Sequence, residues 1–139
     1  MEEKLTQTKI YSKLELQQLP ILSLAYVGDC IFELKVREHF LSIGIVRPQQ
    51  IHLNTVSVVR APNQALISRR IENELTETEL DFFRRGRNAK SGHQPPGATV
   101  SEYRRATGLE ALLGYWYLAG QTDRLNWFFG KIFSAQAAE

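Results

Sequence analysis

The chain has 139 residues, enough to bury a continuous core without staples but too few for a catalytic domain plus a sizeable appended module, which points to one domain over residues 1–139 with its core at about 16–135. An apolar share of 43% and a charged share of 23% argue against disorder. The single cysteine, Cys30, excludes an internal disulfide, and it lies in an apolar run where a small hydrophobe would pack. The polar start MEEKLTQTKIYSK is unlike a signal peptide. No uncharged apolar stretch reaches the roughly 18 residues of a membrane span, so the expectation is a cytoplasmic protein without membrane segments. The net charge of +2 is unevenly spread: residues 84–105 carry Arg84, Arg85, Arg87, Lys90, Arg104 and Arg105 against Glu102 alone. Such a patch either attracts polyanions by counterion release or is simply a solvated loop.

Apolar residues recur at helical spacing almost throughout. Pro20 stands at the expected first helical position before Ile21, Leu24, Ala25, Gly28, Ile31 and Leu34, a stripe that can run to Gly44. Pro48 opens a second helix and Pro62 a third. Thr76-Glu77-Thr78-Glu79 fits a capping box and starts a short helix through Leu80, Phe82 and Phe83. Gly86 to Gly97, dense in glycine, proline and basic residues, reads as an exposed, shaped loop. Thr99-Val100-Ser101-Glu102 repeats the capping pattern before Leu109, Leu112, Leu113 and Trp116. Thr122 or Asp123 is placed to cap a last helix through Trp127, Phe128 and Phe133. No segment alternates as a strand does, so the fold class is all-α.

Two acids interrupt apolar helices. Asp29 lies in LAYVGDCIFEL and Glu110 in GLEALLG, each flanked by small residues: Ala25 and Gly28 in the first case, Ala111 and Gly114 in the second. Small flanks let helices approach closely. If these helices pack, the two carboxylates can share a hard divalent cation that offsets their repulsion and desolvation. Alternatively, each caps a neighbouring helix or pairs with an arginine. Glu33 fits an ordinary helix ion pair with Arg37, four residues on. His39, His52 and His93 share no zinc-ligand spacing, and no histidine is placed to activate a serine or cysteine. Neither a P-loop nor GxGxxG occurs. Trp116, Trp127 and the phenylalanines read as core or interface.

LAYVGDCIFELKVREHFL resembles the first acidic helix of the ribonuclease III family, in which Gly-Asp, an apolar pair and Glu-Leu occur together, and LEALLGYWYL resembles its second. The two matches stand in order about 80 residues apart. FFRRGRNAKSG followed by YRRATGLEALLGYWYL is similar to the short Mini-ribonuclease III branch, which lacks a double-stranded-RNA-binding domain. The resemblance covers roughly residues 16–129.

It implies a helical ribonuclease III catalytic-domain fold and an endoribonuclease for double-stranded RNA. Asp29 and Glu110 then match the acids that bind divalent metal at the scissile phosphate, with magnesium as the cofactor and manganese as a substitute. Full-length relatives have a glutamate four positions before the first acid and an aspartate three before the second; here those positions hold Ala25 and Thr107. The resemblance further implies a homodimer cutting both strands, a basic element of Arg84, Arg85, Arg87, Asn88 and Lys90 within the loop 84–98 as the RNA clamp, maturation of precursor 23S rRNA ends in ribosome biogenesis, and a ribosomal protein as helper. Two rivals stand beside this reading: a silent RNA-binding or assembly module on the same fold, and a magnesium-dependent hydrolase of a small phosphorylated compound. Retention of both acids argues against the first; a protruding arginine-rich loop has no evident use in the second.

Overall fold

The computed structural model describes residues 7–90, 94 and 96–137. They form seven α-helices: α1 (Lys13–Gln18), α2 (Ile21–Ser42), α3 (Pro48–Val59), α4 (Ala61–Ile71), α5 (Glu77–Asn88), α6 (Val100–Leu118) and α7 (Thr122–Ala137), with a single 3₁₀ turn at Glu72–Glu74 and no strand among the described residues. No helix among them is long and apolar enough to cross a membrane.

Helix α6 is the axis of the molecule. Ala106 to Leu109 and Ala111 to Trp116 are all buried, so it is covered on nearly every side, by α2, α4 and α5 above all. Leu24, Phe32 and Val36 of α2, Phe82 of α5 and Phe128 of α7 close around Leu109, Leu112, Leu113 and Trp116. The Phe32 ring meets Phe128 and Phe129 at 6.0 Å each, which ties α7 over the α2–α6 contact. Trp116 is fully buried, in keeping with its reading as core.

Helix termini follow local chemistry closely. Capping boxes at Thr76 and Thr99 start α5 and α6, and a third at Ser12, with Glu15, starts the short helix α1 that sequence periodicity did not separate. Pro48 occupies the first turn of α3 and Pro62 that of α4, where a missing N–H costs nothing. Pro20 is one residue outside α2, and Thr122 is the first residue of α7 instead of its cap. Gly44, at φ 96°, and Gly120, at φ 70°, take the left-handed turns that end α2 and separate α6 from α7.

Two expectations are corrected. Helix α5 does not stop after Phe83 but continues to Asn88, so Arg84, Arg85, Gly86, Arg87 and Asn88, expected in the loop 84–98, are helical and the connecting loop begins at Ala89. The reason is Gly86 itself: it is buried, and an added Cβ would lie 2.8 Å from the Ala111 Cβ and 2.9 Å from the Gly108 Cα, so its bare backbone is what lets α5 lie on α6. Of the same loop, Ser91, Gly92, His93 and Pro95 lie outside the described residues. Cys30 is exposed and does not pack in the core, because the apolar run of α2 is one-sided: Leu24, Gly28, Phe32 and Val36 face inward while Tyr26, Asp29, Cys30 and Leu34 face solvent.

One buried acid is structural. Glu79, 3% exposed, accepts the Thr76 N–H (2.8 Å), the Trp116 indole N–H (2.8 Å) and two bonds from Arg124 (2.7 and 2.8 Å), joining α5, α6 and α7. Burial pushes its carboxyl up, but Arg124, the Thr76 N–H and Trp116 outweigh burial and hold it below the usual glutamate range.

Candidate active site

The α2–α6 crossing is built on glycine. A Cβ on Gly28 would lie 1.8 Å from the Glu110 carbonyl oxygen, and one on Gly114 would lie 1.9 Å from that of Leu24. Any side chain at either position would force the helices apart, so the small flanking residues do allow backbone-to-backbone approach. The residue after Gly28 is Asp29, and the carbonyl against Gly28 is that of Glu110. The crossing therefore brings the two acids together.

Their electrostatics follow. Glu110 is mostly buried, and burial first, then the charge of Asp29, pushes its carboxyl up to about 8. Asp29 stands at the solvent edge; partial desolvation, and after it the charge of Glu33, raises it as well, while a hydrogen bond with Glu110 pulls the other way. Of the two, Glu110 is pushed up mainly by its burial, and the nearby Asp29 charge adds to it. Neither acid caps a helix or pairs with an arginine among the described residues. Glu33 does make the expected i,i+4 pair with Arg37, at 2.9 Å.

Gln64 on α4 was not singled out by sequence. It is 2% exposed, and its Nε2 donates to the Glu110 Oε2 (3.1 Å) and to the Val59 carbonyl (2.8 Å). Its Oε1 is buried without a hydrogen-bond partner. The signal lay in its register: Gln64 shares the 3–4 spaced stripe of Ile67 and Ile71, where an uncharged polar residue needs a reason to be.

The positions where full-length relatives carry further acids are sealed. Ala25 is buried, and Thr107, 7% exposed, donates its hydroxyl to the Tyr103 carbonyl at 3.1 Å. Among the described residues no cluster of three or more His, Cys, Asp or Glu side chains forms. The donor set is thus two hard carboxylates, one of them hydrogen-bonded by the Gln64 amide, whose own oxygen is left without a partner. That set suits magnesium, which takes one or two carboxylates and keeps several waters, and it does not make the closed N/S cage of a structural zinc site.

Of the expected basic element, Arg84, Asn88 and Lys90 are exposed and Arg87 is half-buried, its Nε donating to Asn88 (3.2 Å). Arg85 turns elsewhere, donating to the Leu19 carbonyl (3.3 Å).

Residues 22–121 match the model of the ribonuclease III domain. The chain belongs to the ribonuclease III family. Within it the resemblance is to Mini-ribonuclease 3: 45% identity to that of Desulfitobacterium hafniense over 84% of this chain and 73% of the relative, and 48% to that of Symbiobacterium thermophilum over 78% and 83%. A crystal structure of a Fusobacterium nucleatum protein superposes with a TM-score of 0.80 at 30% identity, covering 88% of this chain and 98% of that one. The all-α ribonuclease III fold expected from the two acidic helices is the fold observed, and this member of the family is an endoribonuclease.

Proposed function

We propose that this ribonuclease III-type enzyme is a cytoplasmic, magnesium-dependent endoribonuclease that cleaves double-stranded RNA as a homodimer and matures the ends of precursor 23S rRNA, with a ribosomal protein as helper. The observation that carries the proposal is the convergence of Asp29 and Glu110 across the Gly28–Gly114 contact, a pair whose charges repel and that makes no ion pair with Lys or Arg among the described residues. Asp29 and Glu110 would hold the ion. Bound there, magnesium supplies Lewis-acid activation of the phosphodiester and of an attacking water. Gln64 fixes the Glu110 carboxylate from behind, and Arg84, Arg87, Asn88 and Lys90 at the end of α5, with Arg85 beside them, give the RNA backbone cationic and polar partners. Shape, phosphate and 2′-hydroxyl contacts are how RNA duplexes are read, so no base-specific groups are required.

Dimerisation is supported by an exposed apolar row. Leu22, Tyr26, Leu34 and Leu41 line the outer face of α2, with Tyr26 78% exposed, and Leu53 and Val56 of the adjoining α3 extend it. A second copy covering this row would set a second acidic pair beside the first, so that each serves one strand.

The test is incubation with an end-labelled RNA duplex and, separately, with a mononucleotide, in magnesium and in chelator. Cleavage of the duplex in magnesium alone is expected, with sedimentation as a dimer at working concentration. No cleavage of duplex in magnesium would leave the silent-module reading, and attack on the mononucleotide instead would leave the small-phosphate hydrolase.

A further inference from the structure

The ends of α4, α5 and α6 enclose an open cleft of about 550 Å³ walled by four arginines, Arg69, Arg87, Arg104 and Arg105, together with Asn88, Val100 and Ser101. No carboxylate lines it among the described residues. Arg105 is already satisfied: its guanidinium pairs with Glu72, donates to the Ser68 hydroxyl (2.8 Å) and lies 5.2 Å from the centre of the Phe83 ring. It forms a fixed wall. Arg69, Arg87 and Arg104 differ, because none of them pairs with an acid among the described residues, and Arg69 and Arg104 are exposed. Like charges gathered in a concave surface raise the local potential, since the low-dielectric walls screen them less than open water does. The first turn of α6 adds to it. The Thr99 side chain occupies the Glu102 N–H, leaving the N–H groups of Val100 and Ser101 unpaired by the cap, at the positive end of a 19-residue helix. Glu102 sits in the same turn, its carboxylate engaged with the Thr99 N–H (2.9 Å).

The chemistry that fits is a phosphodiester chain. Guanidinium forks match phosphate oxygens in bidentate geometry, and the cleft is many times the roughly 30 Å³ share of one water. Val100 is the one apolar residue among those that line it, beside four arginines, Asn88 and Ser101, and the cleft is open, which favours a strand lying across it over an enclosed metabolite. We propose that Arg69, Arg87 and Arg104 form a seat for the RNA backbone separate from the Asp29–Glu110 pair. This proposal rests on the reading of the chain as a duplex-cleaving enzyme and adds Arg69 and Arg104 to its RNA surface. Seat and acids share two helices: Arg104 and Glu110 lie six residues apart on α6, Gln64 and Arg69 five apart on α4. At 1.5 Å per residue Arg104 and Glu110 are offset by about 9 Å along the axis of one rigid helix, so a phosphate held at the seat keeps a constant relation to the acids.

The test measures binding of a labelled RNA duplex to the full chain in chelator, by anisotropy over a range of salt, for wild type, R69A/R104A, R69Q/R104Q and the control K9A/K131A. The control removes the same charge at positions paired with Glu15 and Glu74. Both arginine variants should bind at least tenfold more weakly, with a salt slope shallower by about 2, since each lost phosphate contact removes about 0.9 of slope. The control should stay within twofold. In magnesium the arginine variants should show a raised KM with kcat at saturating duplex within about threefold. Unchanged melting temperatures would assign the loss to contact. Wild-type binding with arginine variants inside twofold and an unchanged slope would overturn the seat while leaving the enzyme reading intact; so would a pyrophosphate-induced rise in melting temperature that the variants lose while duplex binding persists, which would give the cleft to a free anion. Failure of the wild type to bind or cut duplex would instead remove the functional reading.

Discussion

Two acids on neighbouring helices meet opposite fates. Glu79 enters its pocket with every lone pair spoken for: a cap N–H, an indole N–H and an arginine that stacks at 4.2 Å on Trp127 and itself closes the pocket. Its carboxyl is held low, and its charge joins three helices. Glu110, partly exposed, has one amide donor and another carboxylate for company, and its carboxyl is pushed up to about 8. Burial pushes both carboxyls up; the difference is whether the chain supplies a compensating cation. Where it does, the acid is architecture. Where it does not, the acid's carboxyl is left raised, as a cation site awaiting its ion would leave it under the function proposed above.

The largest effect should come from removing charge at the open pair. D29N and E110Q should each lower duplex cleavage in magnesium by about a thousandfold or more, some 4 kcal/mol of barrier, while duplex binding persists. Stability should move the other way. The folded form keeps a proton on Glu110 that the unfolded chain has lost above 4.5, so in chelator wild-type stability falls between pH 4.5 and about 8 and is flat beyond. E110Q has no such term, and its melting temperature in chelator should equal or exceed wild type across that window. A clear drop at pH 7 would turn Glu110 into a second Glu79.

The crossing that creates the pair can be broken directly. G28A would place a methyl 1.8 Å from the Glu110 carbonyl oxygen and should cost several kcal/mol in chemical denaturation, about 3 or more by the scale of core overpacking. Gly130 on α7 has open space around it, and G130A should be neutral or stabilising by about 0.5 kcal/mol. Equal behaviour of the two would mean that α2 and α6 do not meet as described.

E79Q tests the satisfied acid. Breaking the pair with Arg124 should cost about 3 kcal/mol at pH 7, read as a shift in denaturant midpoint, with magnesium making no difference. Because the folded carboxyl titrates below its ordinary 4.5, its contribution is full above that value and is lost as the pH falls through the lowered one, so wild type and E79Q should converge in acid. A gap that persists there would assign the loss to packing.

The smallest effect sharpens the site. Q64L should raise the magnesium concentration for half-maximal activity about tenfold, the usual scale for a group that orients a metal ligand, and should weaken manganese binding measured directly in the absence of RNA. Q64E is expected to fail more severely, by adding a third negative charge. An unchanged metal requirement in Q64L would leave Gln64 as a brace between Val59 and α6 only.

Local signals in the chain determined most of its elements. Capping boxes at Thr76 and Thr99, prolines at Pro48 and Pro62 and the 3–4 spacing around Leu24 and Leu112 act within one or two turns, and helices form where such signals agree. Asp29 and Glu110 stood out as candidates for the same reason, since a charge among apolar residues with small neighbours is anomalous within a few positions. What lay beyond the sequence depended on residues far apart in it. Gly86 looked like a loop glycine because only Gly108 and Ala111, more than twenty residues on, show that its missing side chain makes room for α6. Gln64 gained its meaning from Glu110, and Arg69 from Arg87 and Arg104, through packing of α4 and α5 on a shared helix. Periodicity reports which side of a helix is apolar, but partners across a helix contact are chosen by shape and close approach, which only the packed structure decides.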